Sequence, residues 1–245
     1  MITLAGIIGS GKSSLTEILS NELNSRPFYE PVEDNPVLPL FYKGNELAAR
    51  KRQAGEEDAT NPYAYLLQTF FLNRRFMMMK EALKEKNSIL DRSIYEDAMF
   101  MRMNTEMGNA TQTEYSIYRE LLSNMLDELK YAAPKDGNGL LVLIRVSYDT
   151  MISRISKRGR EYEQIANDPS LAGYYHRLLR YYDEFEKTYN QSEILVIDGD
   201  RLDFVENIQD RNQVLDVIET RLVALGSLTE DEYRKLRNDR RQQQH

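Results

Sequence analysis

Residues 6–13 read Gly-Ile-Ile-Gly-Ser-Gly-Lys-Ser and satisfy GxxxxGK[ST] at every fixed position. No other segment constrains the fold as strongly, because the motif works only between a strand and a helix. Both flanks are legible. The apolar run 2–8 reads as a buried strand entering a loop, and from Ser13 onward Leu15, Ile18, Leu19 and Leu23 take up helical spacing. Glycines let backbone amides turn inward around phosphate oxygens, and the helix N-terminus adds its positive end. Lys12 neutralises the terminal phosphates, and the Ser13 hydroxyl can ligate magnesium. The motif therefore predicts a nucleoside triphosphate held by Gly6, Gly9, Ser10, Gly11, Lys12, Ser13 and Ser14.

The rest of the chain alternates strand and helix signals. A second short strand is expected at 28–29, a helix over 63–86, and a third strand at 88–91 that ends on Asp91. Two more β-rich runs follow at 140–146 and 193–198. This alternation predicts an α/β architecture with a five-stranded parallel sheet flanked by helices. Tyr118, Leu121, Leu122, Met125, Leu126 and Leu129 recur at helical spacing, as do Leu215, Ile218, Leu222 and Leu225; both stripes predict core or a subunit interface. Met77–Met79 and the tyrosines at 174, 175, 181, 182 and 189 are read the same way. Residues 43–60 read as a polar surface excursion. The charged tail 227–245 contains Thr229-Glu-Asp-Glu, which can cap a short helix, but fraying is expected there. No linker separates the parts, so one domain over 1–226 is expected.

Composition matters mainly by exclusion. With no cysteine in 245 residues, disulfides, Cys-ligated zinc, iron–sulfur clusters and thiol nucleophiles are ruled out. Only His176 and His245 carry imidazole, so general-base duty falls to a carboxylate. A net charge of -7 argues against a dedicated nucleic-acid binder. No apolar run suggests a membrane span, and the N-terminal run lacks a basic lead-in, so a cytoplasmic protein is expected.

Two further clusters suit phosphate chemistry. Asp91 ends its apolar run where a magnesium-associated carboxylate is expected, and the adjacent Arg92 can stabilise charge on a transferring phosphoryl group. Arg154, Lys157, Arg158 and Arg160 surround Gly159, and Arg154 and Arg158, four apart, share a helical face. Beside a phosphate loop such a cluster reads as a basic lid, about 154–167, that closes over triphosphate and excludes water.

With these residues in view, the chain resembles the deoxynucleoside kinase family from the phosphate loop to Asp198-Gly199-Asp200. Tyr29-Glu30-Pro31-Val32, Gln68 with Arg75, Asp91-Arg92-Ser93-Ile94-Tyr95-Glu96-Asp97, and Arg154 to Arg160 followed by Glu163-Gln164 carry the likeness. The resemblance implies a P-loop kinase fold with a basic lid and transfer of phosphate from magnesium-ATP to a deoxynucleoside 5'-hydroxyl. Glu30 would accept the hydroxyl proton, Arg92 would contact the transferring phosphate, and Ser13 and Asp91 would hold magnesium. Tyr42 and Glu163 would bond the sugar 3'-hydroxyl, the tyrosine disfavouring a 2'-hydroxyl. Gln68, Arg75 and Asp97 would meet the base, pointing to deoxyadenosine with deoxyguanosine or deoxycytidine as further substrates, in purine deoxynucleotide salvage. The lid arginines 154, 158 and 160 would hold ATP. A homodimer, or a heterodimer with a related subunit, is also implied. A nucleoside monophosphate kinase and a nucleotide-binding regulatory subunit remain as alternatives.

Overall fold

A computed structural model describes residues 1–30, 34–132 and 139–242. Pro31 and Val32 of the family-like segment and His245 lie outside the described residues. The described residues form two compact units, one within Met1–Tyr29, Lys84–Arg92 and Pro134–His245, the other within Glu30–Leu83 and Ser93–Ala133.

The first unit holds a parallel five-stranded sheet in the order β2-β3-β1-β4-β5. Its strands are β1 (Ile2–Gly6), β2 (Pro27–Phe28), β3 (Ile89–Asp91), β4 (Leu140–Arg145) and β5 (Glu193–Asp198). Ile2 pairs in register with Ile89 on one side and Leu140 on the other, so β1 is central. The chain fills β2 and β3 on one side of β1 and β4 and β5 on the other. Such a reversal of strand order opens a crevice at the carboxyl end of the central strand, where the phosphate loop leaves β1. β1, β3 and β4 are buried along almost their whole length, as expected of parallel strands covered on both faces. The unit's helices are α1 (Lys12–Glu22), α6 (Tyr148–Arg158), α7 (Ser170–Thr188), α8 (Ile208–Ala224) and α9 (Glu230–Gln242).

The second unit is helical: α2 (Leu38–Ala54), α3 (Ala64–Ala82), α4 (Ile94–Glu106) and α5 (Gln112–Ala132). Its core gathers Ala64, Leu72, Ile94, Met101, Ala110, Tyr118 and Leu122. Ser93 starts α4 with a capping box, its hydroxyl accepting from the Glu96 N–H while the Glu96 carboxylate accepts from the Ser93 N–H. Met79 packs against the core, whereas Met77 is 46% exposed, so the methionine run is divided between inside and outside.

One expectation gains detail and another needs correction. Residues 43–54, expected as part of a polar surface excursion, are mostly exposed and continue α2, which ends at Gly55 in a left-handed conformation (φ 74°). The tail does not fray: residues 230–242 form α9, opened by a reciprocal Thr229–Glu232 cap. The cap was visible in sequence, but what holds the helix was not. Arg240 is bound to Glu219, to Glu22 at 2.5 Å and to Asp216 at 2.7 Å, joining α9 to α8 and α1. Among the described residues no helix is long and apolar enough to cross a membrane.

Candidate active site

The phosphate loop takes the form its sequence requires. Gly6 adopts φ +146°, and a Cβ there would lie 2.7 Å from the Ile144 carbonyl oxygen, so only glycine fits beside β4. Gly11 precedes α1 at φ 98° and supplies no side-chain cap, leaving the first amides of the helix to a ligand. Ser10 is fully buried, and its hydroxyl has no hydrogen-bond partner among the described residues. Lys12 folds back so that its ammonium donates to the Gly6 carbonyl at 2.6 Å and the Ile7 carbonyl at 3.1 Å. At the end of β3, Asp91 is 4% exposed and accepts from the Ser13 hydroxyl at 2.6 Å. Two oxygens of the kind that could hold a hard cation, from residues 78 apart in sequence, thus meet beside the loop.

Arg92 follows Asp91 with φ 84°, a left-handed conformation that costs a non-glycine residue about 1–3 kcal/mol. Its N–H donates to the Leu4 carbonyl at 2.9 Å and its guanidinium donates to the Tyr182 hydroxyl at 3.0 Å. These bonds hold the strained backbone and aim the cation. Burial pushes the Tyr174 phenol up to about 12 against the pull of Arg92, so this hydroxyl stays neutral at ordinary pH. The tyrosine stripe of α7 was expected as core; Tyr175 and Tyr181 are buried, while Tyr182 also serves Arg92.

The arginines expected to form a lid have different partners. Arg154 donates to the Ser10 carbonyl at 3.0 Å and the Gly199 carbonyl at 2.8 Å, clamping the phosphate loop to the turn after β5. Asp200 in that turn accepts from the Ser147 N–H that begins α6. Arg158 instead pairs with Glu163, and Arg160 lies 3.5 Å from the same carboxylate. Glu163 is 6% exposed, and the Tyr175 hydroxyl donates to its carbonyl at 2.8 Å. Lys157 points to Glu206 at 2.9 Å. The shared helical face of Arg154 and Arg158 therefore does not make one array. The 198–204 turn packs onto the phosphate loop: Phe204 is 1% exposed and would lie 2.9 Å from a Cβ at Gly11, a neighbourhood without any local sequence signal.

The helical unit brings together a second set. Arg75 on α3 is 1% exposed, its Nε donating to Asp97 at 3.1 Å and its Nη2 to Glu30 at 3.3 Å. Asp97 is itself buried in the first turn of α4, where the helix N-terminus favours a carboxylate. Gln68 lies buried two turns before Arg75. Tyr118 is also fully buried; burial, reinforced by Asp97, raises its pKa well above the phenol range. Tyr42 lies on α2 and is 42% exposed. Glu163, its expected companion at the sugar, belongs to the other unit.

Known proteins echo this assembly. The deoxynucleoside kinase family model matches residues 2–224. A deoxyguanosine kinase of Lactobacillus johnsonii is 51% identical over 94% of this chain and 96% of its own length. A deoxyadenosine kinase of Lactobacillus acidophilus is 46% identical over 93% of this chain and 99% of its own. A structure of deoxyadenosine kinase from M. mycoides with bound dATP superposes with a TM-score of 0.65 at 28% identity, covering 89% of this chain and 98% of that one. Matched along nearly its whole length by sequence and by architecture, the chain belongs to the deoxynucleoside kinase family and is an enzyme of that type.

Proposed function

We propose that this enzyme transfers the γ-phosphoryl group of ATP to the 5'-hydroxyl of a purine deoxynucleoside, with deoxyadenosine and deoxyguanosine as its substrates. The kinase domain in this reading is residues 1–226, working in the cytoplasm on salvaged deoxynucleosides as a dimer with itself or a related subunit. The observation that carries the base assignment is Arg75, a buried cation held between Asp97 and Glu30 on the helix that also bears Gln68. Such a fixed set of donors and acceptors recognises a base edge by hydrogen bonds and penalises one that leaves them unpaired. Relatives named for deoxyguanosine and for deoxyadenosine support the same substrate class.

Lys12 and the amides at the start of α1 bind the triphosphate, Arg158 and Arg160 close on it, and Arg154 keeps the loop in shape. The Ser13 hydroxyl and Asp91 carboxylate fit magnesium by donor chemistry and proximity. Held by those two side chains, magnesium would neutralise phosphate charge. Glu30 takes the proton of the 5'-hydroxyl as that oxygen forms its bond to the γ-phosphorus. The bond from that phosphorus to the β–γ bridging oxygen breaks, and ADP leaves. Arg92 stabilises the charge on the oxygens in transfer. Tyr42 and Glu163 are the residues assigned to the sugar 3'-hydroxyl.

Initial rates with deoxyadenosine, deoxyguanosine, deoxycytidine and thymidine under magnesium-ATP test the assignment. The two purines are expected to lead; thymidine as the best substrate would refute it, and a nucleoside monophosphate as the best acceptor would replace the enzyme class. Asp97→Asn is expected to change the ratio of kcat/KM among the bases by about tenfold or more while transfer persists. An equal loss with every base, accompanied by a lower Tm, would reduce Asp97 to a structural partner of Arg75.

A further inference from the structure

We propose that Asn61 and Gly44 form a lock that sets Tyr42 for the deoxyribose, which makes Asn61 a positioning residue for sugar recognition. The inference rests on the sugar-contact role proposed above for Tyr42. Asn61 is 2% exposed, and both ends of its amide are engaged. Its Nδ2 donates to the Phe41 carbonyl at 2.9 Å and to Asn45 Oδ1 at 2.7 Å, while its Oδ1 accepts from the Tyr63 N–H at 2.9 Å. The Phe41 carbonyl belongs to the peptide that joins Phe41 to Tyr42. The amide therefore grips the backbone that carries the tyrosine.

Gly44 makes the approach possible. A Cβ at that position would sit 2.0 Å from Asn61 Oδ1 and 2.6 Å from its Cγ, and hydrogen bonds hold the amide in place, so any side chain there would expel it. Phe41 packs against the core of the unit beside this lock, and the fully buried residues of α2 are the small Gly44 and Ala48. Polar ties add to that packing. The Asn61 N–H donates to the Asn109 carbonyl at 2.9 Å, and Arg52 near the end of α2 donates to Asn109 Oδ1 at 2.7 Å and the Gly108 carbonyl at 3.0 Å. Both ends of α2 are thus referred to the turn before α5. Tyr42, 42% exposed, is left facing outward on a helix whose register is fixed from behind.

The full-length protein, with Asn61→Asp, Tyr42→Phe and the double variant, tests the lock. Asn61→Asp keeps an acceptor for Tyr63 but turns an oxygen toward the Phe41 carbonyl. It is expected to raise KM for the deoxynucleoside about tenfold and leave KM for ATP within about twofold. It should also weaken discrimination against the corresponding ribonucleoside. In the Tyr42→Phe background the Asn61 effect should largely vanish, because both changes act on one contact. Equal rises in both KM values, or full additivity in the double variant, would overturn the lock while leaving the role of Tyr42 standing. Tyr42→Phe without effect on the deoxynucleoside KM would refute that role and the lock with it. Should Asn61→Asp fail to fold, Asn45→Ala withdraws a single acceptor from the same amide; a deoxynucleoside KM rise of about two- to threefold is then expected, and no change overturns the proposal.

Discussion

Glu30→Gln is expected to lower kcat by about 10²- to 10⁴-fold while leaving KM for ATP close to that of the parent enzyme. The amide keeps the size of the carboxylate and an oxygen for the Arg75 Nη2 that lies 3.3 Å from Glu30, so the local packing survives. What disappears is the ability to take a proton from the 5'-hydroxyl. Few groups can replace it: cysteine is absent, and the His176 ring is stacked on Tyr148 with centroids 4.0 Å apart. Single-turnover measurements with saturating magnesium-ATP isolate the chemical step. Undiminished transfer in that experiment would remove Glu30 as the base and shift attention to positioning by Arg92 alone.

Arg240→Met is expected to destabilise the fold by about 3–5 kcal/mol, because it strands buried carboxylates without their cation. Glu219 on α8 is fully buried, and Arg240 binds both of its oxygens, Glu22 at the end of α1, and Asp216. Arg237, 3.2 Å from Asp216, stays behind but serves the outer edge of the cluster. The pH dependence has a defined sign. Burial already raises the Glu219 pKa despite Arg240, and removing the guanidinium raises it further. Between the unfolded and folded pKa values the folded state then holds a proton that the unfolded state has lost, so stability falls as pH rises through that window. Denaturant titrations should show the deficit of the variant shrinking as pH is lowered toward the ordinary carboxylate range. A variant as stable as the parent at neutral pH would mean that α9 contributes nothing through this cluster.

The C-terminal helix also illustrates what can be read locally. Thr229-Glu-Asp-Glu announced the start of α9, because a capping box is written in four consecutive residues. Its persistence to residue 242 depends on Glu22, 218 positions before Arg240, and no local pattern encodes that pairing. Residues 43–60 show the same division. Their polar composition describes an exposed surface correctly, yet the helix they form is held by Asn61, Asn109 and the absence of a side chain at Gly44.

The sequence by itself determined the phosphate loop and five strands in a parallel sheet, because these are written in contiguous residues or in a repeated alternation, and its dispersed motifs carried the resemblance to the kinase family. It also named Glu30, Arg75, Asp91, Arg92 and Asp97 as the residues of interest. Only the tertiary structure decided how they combine: Ser13 against Asp91, Arg75 between Asp97 and Glu30, Arg92 strained onto Tyr182, and Glu163 paired with Arg158. Charges brought from distant positions into a buried setting acquire partners by proximity in space, and proximity across tens of residues is a property of the packed chain rather than of its local pattern.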